Sequence, residues 1–344
     1  MGRSRDSSIT IRDVARVAGV SRGAVSKVIN DAYGVSPEMK AKVQAVIDEL
    51  GYRPKVLARG MRGSTYTLGV SMRSMDNLFF PKVINGACQA LDNSRYQLIV
   101  APAGPSWDEV DAVQVLADRQ VDGIVAITAT VPPERLEDLG SRIPLVVIGR
   151  HDDSANYDTI VGDDVAGARI AVQHLFDLGH RRIVHLTQPP GRPDTGPTTP
   201  HGMRVQGYLE AMAELGLADH AIVLRDCQTQ RQTRDVVIDY LSREPGPVGF
   251  FAAHDELALG VLEARGELQL APAQASVVGY DDVEIGAHPL MSLTSINQSG
   301  TRMGATAIQL LMERIEGRAE PKHEVMTPVL MERGSTASPV PPPT

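Results

Sequence analysis

Arg22, Gly23, Ser26, Lys27 and Asn30 fall at i, i+1, i+4, i+5 and i+8, the spacing of one helical face, with Ser21 just ahead of them. The chemistry open to such a face is recognition. An arginine or lysine pairs with guanine O6 and N7, and hydroxyls hold phosphate oxygens. To point these groups one way, the stretch TIRDVARVAGVSRGAVSKVIN, from Thr10 to Asn30, must form two short helices joined by a tight turn. Ile11, Val14, Ala15 and Ala18 make one apolar face, and Thr10 with Asp13 three residues on gives the first helix its cap. Gly19 ends that helix, and Ser21 caps a second whose Val25, Val28 and Ile29 point inward. A helix-turn-helix lays its second helix in the major groove, which makes Arg22 and Lys27 the base readers. By spacing alone, a solvated surface helix in an ordinary helical subdomain fits equally well.

Reactive chemistry finds little support. GVSRG, residues 19–23, satisfies the nucleophile-elbow pattern, but an amphipathic helix stands where that motif needs a strand. The sequence holds no dinucleotide-binding glycine loop, P-loop lysine or zinc-protease histidine pair. His151–Asp152 and His254–Asp255 are chain neighbours, and neighbours on a strand face opposite ways, so neither pair is a dyad by itself. Cys88 and Cys227 lie far apart, without disulfide or metal-type spacing. We expect no catalytic residue, metal or cofactor.

The 344 residues suggest two or three domains, and 42% hydrophobic residues suffice to bury their cores. No run approaches the roughly 20 apolar residues of a membrane span, and MGRSRDSS lacks the apolar centre of a signal peptide, so a cytoplasmic protein is expected. Net charge divides unevenly. Residues 1–63 carry 12 Lys and Arg against 6 Asp and Glu, leaving the remainder at −14 of the overall −8. A small basic head on an acidic body is the footprint of local phosphate neutralisation.

Ser36 and Pro37 open a third helix with Val43, Val46, Ile47 and Leu50 on one face, and Gly51 closes it. A short basic segment, KVLARGMRG, follows; a helix that length is marginal in water and reads as a linker that orders on a partner. From residue 67 onward strand-like runs (68–70, 98–101, 123–127, 145–148) alternate with helical stretches at 82–91 and after Ser106, where Glu109 completes a capping box. A second series (183–186, 222–224, 248–252, 277–279) alternates with helices at 166–178, 204–215, 235–241 and 257–265, with Gly179, Gly216 and Gly266 as C-terminal stops. Two such series predict two α/β lobes with parallel sheets and a cleft outside the strands' carboxyl ends. Residues 188–202, rich in Pro, Gly and Thr, form a long loop, a lid or a surface insertion. The tail from Ser335 has no core-forming pattern.

At this point the chain resembles the lactose-repressor family of bacterial transcription regulators over residues 9–334. The resemblance rests on D-V-A-x-x-A-G-V-S at 13–21, V-S-x-V-x-N at 25–30, V-S-P at 35–37, L-G-Y-R-P at 50–54 and Ala58-Arg59. In the body it rests on H-L-x-x-L-G-H-x-x-I at 174–183, D-E-L-A-L-G at 255–260 and S-V-V-G-Y-D-D at 276–282. It implies an all-α helix-turn-helix head (9–53), a hinge helix and linker (54–66) and a two-lobed body (67–334) like the periplasmic sugar-binding proteins. The N-lobe is expected at about 67–160 and 297–322, the C-lobe at about 161–292 and 323–334, and a disordered tail at 335–344.

The resemblance also implies a homodimer on palindromic operator DNA, with hinge helices at 55–62 that order on binding and wedge Met61 into the minor groove. The DNA-contacting set is then Thr10, Ser21, Arg22, Gly23, Ser26, Lys27 and Asn30, with Lys55, Ala58, Arg59 and Met61 from the hinge. Lys55 stands where the family often has Asn, and Ala24 where it often has Thr. For a small polar effector, a sugar or sugar derivative, it implies Arg204 as the gripping arginine, Asp281 as the accepting carboxylate and Phe80 as a packing aromatic. His254 stands where sugar binders often carry Asn, and Cys227 near a usual aromatic. The expected function is a repressor whose operator affinity an effector switches. A solute-binding module without operator reading is the alternative that the lobes alone would fit.

Overall fold

The computed structural model describes residues 9–29, 33–52, 64–75, 77–104, 108–127, 130–151, 153–189 and 198–339. They fall into two compact units, one up to Thr65 and one from Tyr66 onward.

In the first unit α1 (Ile11–Ala18), α2 (Arg22–Ile29) and α3 (Pro37–Leu50) enclose a core of Val14, Ala15, Ala18, Val25, Val28 and Val43. Each boundary has a local cause. Asp13 accepts from the Thr10 backbone N–H (3.0 Å) and hydroxyl (2.7 Å), and the hydroxyl bond leads in holding that exposed carboxyl down at about 2. Ser21 Oγ accepts from Ala24 N at 3.1 Å and Ser36 Oγ from Met39 N at 3.2 Å. Gly19 and Gly51 end α1 and α3 at φ +62° and +60°, a left-handed conformation that side-chain-bearing residues enter at a cost.

The second unit holds two six-stranded sheets. In the N-lobe, β1 (Thr67–Met72), β2 (Gln97–Pro102), β3 (Gly123–Ile127), β4 (Leu145–Ile148), β5 (Asp158–Gly162) and β11 (His323–Met326) lie in the order β11-β5-β4-β3-β1-β2, all parallel. In the C-lobe, β6 (Ile183–Leu186), β7 (Ile222–Leu224), β8 (Val248–Ala252), β9 (Ala275–Tyr280), β10 (Thr294–Asn297) and β12 (Val329–Met331) lie in the order β12-β10-β9-β8-β6-β7. Only the β10–β12 pair in that sheet is antiparallel. The central strands are buried on both faces, as sheets flanked by crossover helices require.

The N-lobe helices are α4 (Phe79–Ala90), α5 (Glu109–Asp118), α6 (Pro133–Gly140) and α12 (Gly300–Ile315). Those of the C-lobe are α7 (Asp164–Asp177), α8 (Pro200–Glu214), α9 (Gln230–Arg243), α10 (Asp255–Glu267) and the short α11 (Glu284–Ala287). The α4 and α12 backbones touch. A Cβ on Gly304 would stand 1.9 Å from the Val83 carbonyl oxygen, and one on Gly86 1.9 Å from that of Thr301.

Four expectations need correction. Residues 323–326 pair with β5 and belong to the N-lobe, because the chain crosses back between the lobes only after Met326. The α5 cap is Asp108 with Asp111, since Asp108 accepts from Val110 N and Asp111 N; Glu109 is instead buried, and its carboxylate accepts from Thr130 N. Gly266 lies inside α10 rather than ending it. Finally, residues 335–339 are docked: Ser335 is fully buried, its hydroxyl donating to Val277 O (2.6 Å) and accepting from Thr294 N (2.8 Å). Ala337 N reaches Ser276 Oγ at 3.0 Å. Pairing of main chain and hydroxyls, invisible to hydropathy, holds that segment.

Candidate functional site

On the head, the Val25 and Val28 side of α2 is buried, leaving Arg22, Gly23 and Lys27 exposed and Ser26 half-buried. Thr10 and Ser21, at the starts of α1 and α2, are exposed too, but both hydroxyls already serve caps. A Cβ on Gly23 would meet only Ser21 Oγ, at 3.7 Å, so packing does not call for glycine there. Asn30 and the hinge residues Lys55, Ala58, Arg59 and Met61 lie outside the described residues.

In the body a cavity of about 310 Å³ lies between the lobes, at the carboxyl ends of strands from both sheets. Phe80, Arg204, His254 and Asp281 all line it. The N-lobe contributes an apolar patch of Phe79, Phe80, Ile127, Ile148 and Met303 together with Arg73, Ser74, Asn77 and Glu109, and the C-lobe contributes Asp164, Gln188, His201, Arg204, His254 and Asp281.

Arg204 sits in the first turns of α8, which Thr199 caps through Gly202 N. Its Nε donates to Asp164 Oδ1 at 2.8 Å, its Nη1 to Ala253 O at 2.5 Å, and its guanidinium carbon lies 3.6 Å from the Tyr280 ring centroid. Burial alone would lower its pKa, yet Asp164, Tyr280 and Asp281 together raise it. The fork is therefore a fixed, permanently charged donor. Asp281 follows β9 with φ +104°. Gln298 Nε2 donates to its Oδ1 at 2.5 Å. Burial pushes its pKa up to about 7 against the pull of Arg204 and Gln298.

Behind it Asp255 is raised well above the carboxylate range, first by burial and then by Asp281, while Ser295 Oγ (2.6 Å) and Val283 N (2.8 Å) donate to it. His201 and His254 meet edge to face at 5.5 Å. Burial, then His254 and Arg204, holds the His201 pKa well below the imidazole range, so His201 is a neutral donor and acceptor. The Gln188 side-chain Oε1 is buried and, among the described residues, has no hydrogen-bond partner.

Sequence reasoning passed over Asp164, Gln188, His201 and Gln298. Asp164 could have been found as the residue just past a strand end, had β5 been seen. The rest carry no local signal.

The comparisons with known proteins agree in both units. The model for bacterial regulatory proteins of the lacI family matches residues 10–55, and that for a periplasmic binding protein-like domain matches residues 172–336. The HTH-type transcriptional repressor PurR of Vibrio atlanticus is 31% identical over 336 residues, covering 95% of this chain and 98% of the relative. The ribose operon repressor of Escherichia coli is 32% identical over 335 residues, covering 95% and 99%. Among solved structures, the lac repressor dimer bound to operator and the anti-inducer ONPF shares 25% identity at a TM-score of 0.79, covering 96% and 99%. With relatives above 30% identity matched along almost their whole length, the chain belongs to the lacI family of bacterial regulatory proteins, as a DNA-binding transcription regulator and not an enzyme.

Proposed function

We propose that this protein is a cytoplasmic, homodimeric repressor that reads a palindromic operator with α2 and changes its operator affinity when a sugar or sugar derivative occupies the body cavity. The observation that carries this is one chain holding both an exposed Arg22/Lys27 face and a cleft lined by buried Arg204, in the first turns of α8, and buried Asp281, just past the end of β9. Arg22 and Lys27 are the base readers, Ser21, Ser26 and Asn30 hold phosphates, Thr10 adjoins the DNA backbone with its hydroxyl proton already given to Asp13, and Lys55, Ala58, Arg59 and Met61 form the hinge contacts. Gly23 leaves room for the groove floor.

In the cavity the apolar patch of the N-lobe wall, with Phe80, suits the C–H face of a sugar ring. Asp281, Arg204 and His254 suit its hydroxyl rim. A relative named for a ribose operon and a neighbour solved with an anti-inducer and operator support that class of ligand and the dimer. No helix among the described residues is long and apolar enough to cross a membrane, which is consistent with action on the chromosome. Coupling between the two ligands is reciprocal: an effector that weakens operator binding is itself bound more weakly by the DNA complex.

Selection of duplex DNA from a random pool by the full-length protein at moderate salt tests this reading. A palindrome with a deformable central step is expected, and the enriched site then reports effectors by release. Failure to enrich any site, with or without a library of sugars and nucleosides, would refute operator reading.

A further inference from the structure

Lys82 lies in the first turns of α4 in the N-lobe, and its ammonium crosses to the C-lobe. Nζ donates to the Asp282 carbonyl oxygen at 2.5 Å, lies 3.4 Å from that of Asp281 and stands 3.6 Å from Asp282 Oδ2. The turn it reaches is unusual. Asp281 and Asp282 are consecutive non-glycine residues at φ +104° and +51°. Such conformations are strained for side-chain-bearing residues and persist only where the surroundings over-determine them.

The surroundings can be named. Asp281 N donates to Ile296 O (2.8 Å) and Asp282 N to Ser295 Oγ (3.0 Å). The Asp282 carboxylate accepts from Asn297 Nδ2 (2.8 Å) and Arg333 Nη2 (2.6 Å). Those four partners belong to the C-lobe; among the described residues, Lys82 is the one that reaches this turn from α4. Its stem passes the crossover between the lobes, since a Cβ on Gly300 would stand 3.5 Å from Lys82 Cγ. Gln298, in the same crossover, holds the Asp281 carboxylate. Asp281 is thus fixed through its side chain by the crossover and through its backbone by the opposite lobe.

We propose that Lys82 is a positioning residue that ties the cavity carboxylate Asp281 to the N-lobe and thereby fixes the relative arrangement of the two lobes. The proposal rests on the reading of the cavity as the effector site. A group bound to Asp281 acts on a turn that α4 grips directly, so occupancy bears on the lobe arrangement through one ammonium and two carbonyls. The hydrocarbon stem supplies packing at the crossover, and the charge supplies the tie.

The test needs no ligand. Nitroxide labels on Gln114→Cys in the N-lobe and Glu267→Cys in the C-lobe, in a Cys88→Ser background diluted with unlabelled full-length protein, report the interlobe distance by pulsed electron spin resonance. A narrow distribution is expected for the parent. Lys82→Met, which keeps the stem and removes the charge, is expected to shift or broaden it, and Lys82→Arg to restore it. A stabilising side chain without a positioning role would lower the melting temperature and leave the distribution alone. If Lys82→Met and Lys82→Gln both keep the parent's mean and width, the inference is wrong. Operator selection on the same proteins separates the two claims. Lobes that respond in a protein that selects no DNA would sustain the tie and refute the regulatory reading, whereas unmoved lobes in a protein that still selects an operator would refute the tie alone.

Discussion

If Asp281 accepts hydrogen bonds from effector hydroxyls, it does so as the carboxylate, and effector affinity must follow its titration. Burial pushes this pKa up to about 7. A tenfold change in ionisation ratio per pH unit leaves roughly one-tenth of the molecules ionised at pH 6 and about nine-tenths at pH 8. Apparent affinity scales with the competent fraction, so the Kd falls roughly ten-fold between pH 6 and pH 8, about 1.4 kcal/mol.

The sign follows from the raised pKa of the free protein. Binding releases a proton, affinity climbs as pH rises toward the free-state pKa, and the profile flattens above it. His201 does not produce the same slope, because its pKa lies well below the imidazole range and it stays neutral throughout. Stability of the free protein runs the other way: the folded state keeps a proton that an unfolded carboxyl, with its pKa near 3.8, has lost, so this contribution declines as pH rises toward 7. Calorimetric titration with an operator-releasing sugar at pH 6, 7 and 8, in two buffers of different ionisation enthalpy, measures both Kd and proton release. Asp281→Asn is expected to bind weakly with a flat profile. A Kd that is constant over this range, or tighter at pH 6, refutes the assignment of Asp281.

Three further outcomes are expected. Lys27→Ala relaxes base preference at one operator position by about 1–3 kcal/mol, read from binding to single-base variants of the selected site; uniform weakening across all variants would make Lys27 a phosphate contact. Arg204→Ala leaves operator binding intact and abolishes the response to effector in a release assay, and equal loss of both would count against a separate ligand site. Asp158, fully buried, accepts from Arg314 (3.0 Å) and Arg318 (2.6 Å), which hold its pKa down against burial. Asp158→Ala therefore leaves the buried Arg314 guanidinium without its carboxylate and Arg318 with the Glu313 carboxylate alone (2.9 Å), and lowers stability by roughly 3–5 kcal/mol in urea unfolding, with a change under about 1 kcal/mol speaking against a buried ion-pair cluster.

The head was legible because its signals are local. Thr10 with Asp13, Ser21, Ser36 with Pro37, Gly19 and Gly51 each act within one turn of the boundary they set. The body was legible where a strand is a run of apolar residues, as at Gly123–Ile127 and Val248–Ala252. It was not legible at β5, β10, β11 and β12. DTIVG and TSIN start with polar residues that are buried only because neighbouring strands and Arg314, Arg318 or Asp255 receive them. The helix α12 escaped for a related reason. Gly300 and Gly304 weaken its propensity; Gly304 permits backbone contact with α4, more than two hundred residues earlier, and Gly300 the close approach of the Phe79 ring.

The site follows the same logic more severely. A parallel sheet gathers strand ends that are remote in sequence, so the partners of a site residue are fixed by strand order and not by spacing. Asp164 meets Arg204 across 40 residues, and Lys82 meets Asp282 across 200. A motif match can name Arg204 or Asp281 one at a time. It cannot show that Arg204 is already held by Asp164 and Ala253, or that Asp281 sits in a left-handed turn gripped from the other lobe. Those two facts decide what a ligand can do. A charge already paired orients a ligand without moving, whereas a carboxylate held near half-ionisation in a strained turn is where binding free energy can be exchanged for a change in lobe arrangement. On the reading proposed above, Arg204 is the point of the cavity held within one lobe and Asp281 the point held from both.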